Sequence, residues 1–268
     1  MKMEDKQFTV LTGACGGLGK AFALELLSQG ENLIITGTNL NKLSLCEKDL
    51  KQQYKNQEIV PYVMDLSDEE SIRNFVDDIK AKEYKIVRLV NNAGLIVEGG
   101  LLDLAEEKAL NAIRINCLGT ISLTRKMIEN FELKEILTTA SLGGFYPMPQ
   151  MSVYAASKSF LEKFMVALRE ELKSKKIKVS VLCPAGIPTT PAMVDAIKSQ
   201  GLSGKMTTKT PTFIAKYALK KLKKNKAVII PGFVNRVVRF ISRFAGEAFL
   251  ARRVNKMWEK ANKKRSIK

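Results

Sequence analysis

Apolar residues recur along this chain with two periods, and the switch between them marks its elements. Residues 8–12 (FTVLT) form a short apolar run closed by glycines, and Leu18, Phe22, Leu26 and Leu27 follow at helical spacing, so the opening reads strand, glycine-rich turn, helix. Residues 32–36 (NLIIT) and 59–63 (IVPYV) predict two further strands, with a polar-faced helix over 43–54 between them. Ser67 and Glu70 have the spacing of a capping box in front of Ile72, Phe75, Val76 and Ile79, which share one helical face. Strands at 86–90, 133–140 and 178–183 come next, separated by a long helical pattern over 106–131 and another over 154–173. A helix at 213–223 and a short strand at 227–230 complete the alternation. Strands separated by helical segments of ten or more residues predict βαβ units, hence an α/β fold on a doubly wound, parallel, seven-stranded sheet covered on both faces.

Two stretches depart from this rhythm. Segment 184–211, rich in Pro, Thr, Gly and Met, is too long for an ordinary connection and predicts a lid, with some helix around 192–199. From Phe233 onward Val237, Val238, Phe240, Ile241, Phe244, Phe249, Leu250, Val254, Met257 and Trp258 recur at helical spacing, with Arg236, Arg239, Arg243, Arg252, Arg253 and Lys256 between them. They predict two basic amphipathic helices broken near Gly246. The chain therefore divides into a single domain over 1–232 and a basic helical C-terminal extension over 233–268. Such helices suit the interface of an anionic membrane, apolar face buried and arginines near the headgroups. The alternative is that the stripe packs on the domain or on a twin subunit, in a homodimer or homotetramer. Both readings stay open.

Composition narrows the chemistry. At 268 residues and 46% apolar, the chain can bury the core of one α/β domain. It has no histidine, which removes Ser-His-Asp triads, Cys-His nucleophiles and ordinary zinc sites, and no metal site is expected. Cys15, Cys46, Cys117 and Cys183 are scattered and read as free thiols. The N-terminus has no apolar h-region and no stretch approaches the roughly 20 apolar residues of a spanning helix, so the expected location is the cytoplasm, with the inner membrane surface as a peripheral one. The formal charge of +17 resides in the tail, where 19 Lys and Arg from Lys205 onward face only Glu247 and Glu259. No nucleic-acid module is recognisable, and few aromatic residues interleave with the basic ones, so no specific nucleic-acid partner is expected.

Tyr154 and Lys158 lie at i and i+4, one helical turn apart on one face. A lysine ammonium beside a tyrosine stabilises the phenolate and is expected to draw the phenol pKa down from about 10 toward working pH, which gives acid–base chemistry without histidine. Ser141 follows an apolar run and stands at the carboxyl end of a strand, where open α/β sheets bind ligands. Gly13, Gly17 and Gly19 come directly after a strand and open a helix, the setting in which glycines let backbone approach a pyrophosphate. By themselves a Tyr-x-x-x-Lys pair can be two surface residues and a glycine cluster a tight turn. Asn116 lies inside a helical pattern, where asparagine is unfavourable, and this suggests a use.

These motifs, TGACGGLG at 12–19, NNAG at 91–94, Asn116, Ser141 and Tyr154-x-x-x-Lys158, resemble in order and spacing the short-chain dehydrogenase/reductase family, over nearly the whole length. The resemblance implies a Rossmann-type fold and reversible carbonyl reduction or secondary alcohol oxidation by Asn116, Ser141, Tyr154 and Lys158. Tyr154 is then the proton donor, Ser141 a hydrogen-bond donor to the substrate oxygen, and Lys158 a holder of the nicotinamide ribose. Asn116 is then the residue that bends its helix and holds a water leading to solvent. It further implies that Gly13, Gly17, Leu18, Gly19, Asp65, Leu66, Asn92, Ala93, Gly94, Pro184, Ile187 and Thr189 line the cofactor, with Asp65 on the adenine. A helix-capping Asp65 is the alternative. Gly37 stands where NAD-specific relatives carry a carboxylate, so Thr38, Asn39 and Lys42 point to NADP, with NAD as the second choice. Phe145, Tyr146, Met148, Met151, Met193 and Met206 suggest a small apolar carbonyl or alcohol substrate, such as a steroid, bile acid or lipid ketone. The competing reading is a catalytically weak nucleotide-sensing or scaffold protein on the same fold.

Overall fold

Strand β1 (Gln7–Thr12) lies between β2 (Asn32–Gly37) and β4 (Lys85–Asn91), and every pairing in the sheet is parallel. With β3 (Ile59–Val63), β5 (Glu135–Thr139), β6 (Lys178–Leu182) and β7 (Val228–Ile229) the order is β3-β2-β1-β4-β5-β6-β7. The computed structural model describes residues 6–189, 194, 195, 197 and 201–266. The chain runs outward from β1 to β3, then crosses back to β4. This makes the β1/β4 boundary a topological switch point, the place where such sheets leave a crevice at their carboxyl ends.

Alternating strand residues feed two cores. Val10, Ile34, Leu89, Ile136 and Val181 face α3 (Glu69–Ala81), α5 (Thr120–Asn130) and α6 (Ser152–Glu171). Leu11, Leu33, Ile35, Val90, Leu137 and Leu182 face α1 (Gly17–Ser28), α2 (Leu40–Gln53) and α8 (Pro211–Lys223). The expected doubly wound sheet is thus present, each strand apolar on both sides because both are covered.

Local chemistry moves several boundaries. Helix α2 begins at Leu40, three residues before the apolar period suggests, because the Asn39 side chain caps it by accepting from Lys42 N at 2.9 Å. The capping box expected from Ser67 and Glu70 does not form. Ser67 Oγ donates to Asp65 Oδ1 at 2.6 Å, and Asp68 is the cap of α3, accepting from Glu70 N at 2.9 Å. The long helix divides into α4 (Glu106–Ile113), a π-helical segment (Arg114–Gly119) and α5.

Beyond β6, the helix expected at 192–199 lies largely outside the described residues, and α7 (Gly201–Thr207) is helix where the sequence suggested only lid. The tail forms α9 (Phe233–Ser242) and α10 (Glu247–Ser266), separated near Gly246 as expected. Among the described residues no helix is long and apolar enough to cross a membrane.

Candidate active site

The switch point is built by glycines and one buried threonine. Gly13 has φ +67°, and a Cβ there would stand 3.0 Å from the Ala93 backbone. A Cβ on Gly19 would come within 2.0 Å of the Gly13 carbonyl oxygen. Only residues without side chains let the end of β1, the start of α1 and the stretch after β4 close on one another. Thr12 Oγ1 accepts from the N–H groups of Asn92 (3.0 Å) and Ala93 (2.9 Å), while Asn92 Nδ2 donates to the Thr12 carbonyl at 3.2 Å. Asn91 braces the sheet by donating to Thr124 Oγ1 and Thr138 Oγ1. Thr12, Thr124 and Thr138 were not singled out from the sequence, although Thr12 and Thr138 are hydroxyls inside otherwise apolar strands, unusual enough to mark them.

Thr189, after β6, lies directly over the glycine loop, since a Cβ on Gly17 would meet its Cγ2 at 2.5 Å. Ile187 packs into the α1 side of the core, and the Pro184 carbonyl accepts from Leu142 N at 2.7 Å. Helix α1 opens at Gly17 with Leu18 buried behind it and no side-chain cap, so first-turn N–H groups face the cradle under Thr189. The cradle fits a phosphate approached by backbone alone. At the neighbouring strand end Thr38, Asn39 and Lys42 are exposed; Asn39 Oδ1 is spent on its cap, whereas the Lys42 ammonium has no side-chain partner among the described residues. Asp65 takes neither the helix cap nor a free position: Oδ1 accepts from Ser67 N at 2.8 Å. Leu66 is buried against the π-helical segment, its carbonyl 2.1 Å from where a Gly119 Cβ would be.

Gly94 joins this cradle to the second group of residues. A Cβ on Gly94 would lie 3.0 Å from Asn116 Oδ1 and 3.1 Å from Lys158 Nζ, so glycine keeps open the space these two atoms border. Asn116 is fully buried in the π-helical segment, a geometry frequent at functional sites. Both Nδ2 protons are spent within the chain, on the Leu95 carbonyl (2.9 Å) and Ser157 Oγ (3.0 Å), and Oδ1 accepts from Leu95 N (2.8 Å). The amide so pins the stretch after β4 to α6. The water expected from the sequence has no Nδ2 proton left to bind.

Ser141 lies two residues beyond β5 and caps the 3₁₀ turn Leu142–Phe145, accepting from Gly143 N at 3.1 Å. Gly144 lets α6 approach this turn, for a Cβ there would stand 2.7 Å from the Lys158 backbone. The Tyr154 hydroxyl faces the Ser141 side chain. One turn on, Lys158 is buried and donates to the Thr139 carbonyl at 3.0 Å, its Nζ 5.8 Å from the centre of the Tyr154 ring. Burial lowers the lysine pKa to about 8. Burial raises the Tyr154 pKa, opposed only by Ser141. This corrects the expectation that Lys158 draws the phenol down: the ammonium is turned to a backbone carbonyl, and desolvation of the phenolate wins.

Of the residues expected to surround a substrate, Met148 lies beside Gly143 in the turn that Ser141 caps, its sulfur 2.6 Å from where a Gly143 Cβ would be. Phe145 and Tyr146 turn away toward α9, with the Arg239 guanidinium 4.0 Å above the Phe145 ring and Ser242 beside the Tyr146 hydroxyl. Met206 is exposed on α7, and Met193 lies outside the described residues.

A family model described as short chain dehydrogenase matches residues 7–200. A short-chain type dehydrogenase/reductase of Sinorhizobium fredii is 35% identical over 191 residues, 70% of this chain and 72% of that one. A very-long-chain 3-oxoacyl-CoA reductase of Aspergillus oryzae is 30% identical over 185 residues, covering 65% of this chain and 52% of that one. The chain spans about half the length of such reductases. Among solved structures, one from a study of 7β-hydroxysteroid dehydrogenase stereoselectivity superposes with a TM-score of 0.84 at 20% identity, over 95% of this chain and 100% of that one. A Burkholderia cenocepacia short chain dehydrogenase in complex with NADP gives 0.74 at 22% identity, over 86% and 99% of the two chains. A Burkholderia phymatum relative in complex with NAD gives 0.77 at 20%, over 91% and 95%.

Proposed function

Because the chain belongs to the short-chain dehydrogenase family, we propose that it transfers hydride between NADP(H), with NAD(H) as second choice, and an apolar ketone or secondary alcohol. The observation that carries this reading is the continuity of the site. The glycine cradle touches Ala93, Gly94 borders Lys158 and Asn116, and Tyr154 faces Ser141 one turn from Lys158. Gly13, Gly17, Leu18, Gly19 and Thr189 would hold the pyrophosphate, Asp65 and Leu66 the adenine end, Asn92, Ala93 and Gly94 the adjoining wall, and Pro184 and Ile187 the nicotinamide end. When bound, the nicotinamide supplies or accepts the hydride.

The chain's own groups handle charge on the substrate oxygen. In the reductive direction Tyr154 Oη gives its proton to that oxygen, and Ser141 Oγ donates a hydrogen bond that strengthens as negative charge builds there. Lys158, whose Nζ borders Gly94 and donates to the Thr139 carbonyl, would hold the nicotinamide ribose. Asn116 acts by holding the stretch after β4 against α6, so that Gly94 and Lys158 stay in register.

The NADP preference is supported by the absence of an acid at the end of β2 and by Lys42 beside it, whose ammonium has no side-chain partner among the described residues. The apolar substrate is supported by Met148 beside the turn that Ser141 caps and by the relatives, one named for a very-long-chain oxoacyl thioester and one for a steroid. A steroid, bile acid or lipid ketone is the class we assign. The reaction belongs to residues 1–232. Exposed Leu110, Leu118 and Phe160, on α4, the π-helical segment and α6, support a homodimer or homotetramer. The test is a panel of ketones and alcohols followed by nicotinamide absorbance with each cofactor. Turnover of apolar ketones that Tyr154→Phe abolishes supports the reading, and cofactor binding without turnover of any member overturns it.

A further inference from the structure

Helix α9 is mounted inside out. An amphipathic helix on a soluble domain ordinarily buries its apolar stripe. Here the polar side is the inner one. Asn235 is buried, with Nδ2 donating to the Thr207 (2.9 Å) and Pro231 (2.7 Å) carbonyls, Arg239 stacks on Phe145, and Ser242 meets Tyr146. The outward stripe is apolar and aromatic: Phe233 is 71% exposed, Phe240 60%, Ile241 62% and Phe244 79%. Arg236 and Arg243 flank it, and the next helix, α10, exposes Phe249, Arg252, Arg253, Lys256 and Met257.

We propose that this face docks on an anionic lipid bilayer, with Phe240, Ile241 and Phe244 inserted at the headgroup boundary and the arginines among the phosphates. Charge selects the occupant. Residues 233–246 contain no carboxylate. In a two-fold contact with a second copy, each patch meets itself, so Arg236 and Arg243 would be set against their own duplicates, with the nearest acid in sequence, Glu247, beyond the stripe on α10. A bilayer bearing anionic headgroups supplies both the apolar layer and the counter-charge. Because α9 rests on the turn capped by Ser141, docking brings that turn to the membrane surface, a route suited to lipid-dissolved ketones. This last step rests on the hydride-transfer reading; the docking does not.

The test is co-sedimentation of the full chain with phosphatidylcholine vesicles and with vesicles of phosphatidylcholine and phosphatidylserine. The intact chain should bind the second and not the first, with binding that fades as salt rises. Phe240→Asp with Phe244→Asp, both on exposed positions, should lower the affinity at least tenfold. Independently, Trp258→Phe with Phe244→Trp should show a blue shift of tryptophan emission on anionic vesicles. Failure of the intact chain to bind at low salt, undiminished binding by the double aspartate variant, or an unshifted emission would overturn the proposal. So would a dimer of the intact chain that the aspartates dissociate, which would give the face to a second copy.

Discussion

The two ends of the same sheet each bury a cation, and they treat it in opposite ways. At the amino end, Arg88 bridges Glu31 and Glu135, with Nη2 2.6 Å from the latter. Burial works against its charge, but the two carboxylates outweigh burial and raise its pKa. At the carboxyl end, Lys158 is placed more deeply and donates to one carbonyl among the described residues, so burial prevails and its pKa falls to about 8. An ion present for stability is neutralised by its neighbours. An ion left short of partners costs stability, and the structure retains it where the proposed chemistry lies.

The sharpest way to break this contrast is to remove the proton donor. Tyr154→Phe should lower kcat by about 10²- to 10⁴-fold while cofactor affinity, measured by fluorescence titration, stays near wild type. A rate within about threefold of wild type would sink the acid–base assignment. At the other end, Arg88→Met leaves half-buried Glu31 without its cation and buried Glu135 with Lys178 alone, and should cost about 1–3 kcal/mol in urea unfolding, with kcat/KM retained wherever the protein is folded. Equal stability would mean that the triad is a surface ornament.

Lys158→Met should do the reverse of Arg88→Met, abolishing turnover while stabilising the fold by about 1–3 kcal/mol at pH 7. The sign follows from linkage. Between about pH 8 and the ordinary lysine value of 10.5, the unfolded chain binds the proton that the folded chain has released, so wild-type stability rises with pH across that window. The advantage of the methionine should therefore be complete below about pH 8 and vanish by the upper limit; an advantage independent of pH would assign it to packing. The smallest effect expected is on cofactor choice. The wild type should prefer NADPH over NADH at least tenfold in kcat/KM, roughly 1.4 kcal/mol, and Gly37→Asp should invert this. An added Cβ there meets only Leu43 at 3.6 Å, so the substitution fits, and unaltered preference would show that this strand end does not read the ribose.

The sequence was most legible where a single element decides the outcome. Strands β2 and β3 and the break near Gly246 fall where period and glycine place them, because side-chain alternation and helical spacing are properties of adjacent residues. Polar side chains were less legible. Asn39, Asp65, Ser67 and Asp68 share the tasks of capping and turn-holding differently from expectation, because several neighbouring acceptors compete for the same N–H groups and small differences in geometry choose among them.

What the sequence alone determined is the alternation that makes a doubly wound sheet, the glycines that let its switch point close, and the one-turn spacing of Tyr154 and Lys158. What only the tertiary structure decided is the electrostatics at that pair and the facing of α9. The Lys158 ammonium is claimed by Thr139, on a different element, and the Tyr154 phenol answers to burial, which many segments jointly create. Helix α9 has an apolar stripe whose facing the sequence left open, and the contacts of Asn235 with Thr207 and of Arg239 with Phe145 turn it outward. Periodicity defines the faces of an element; the groups waiting on distant segments determine which face is buried.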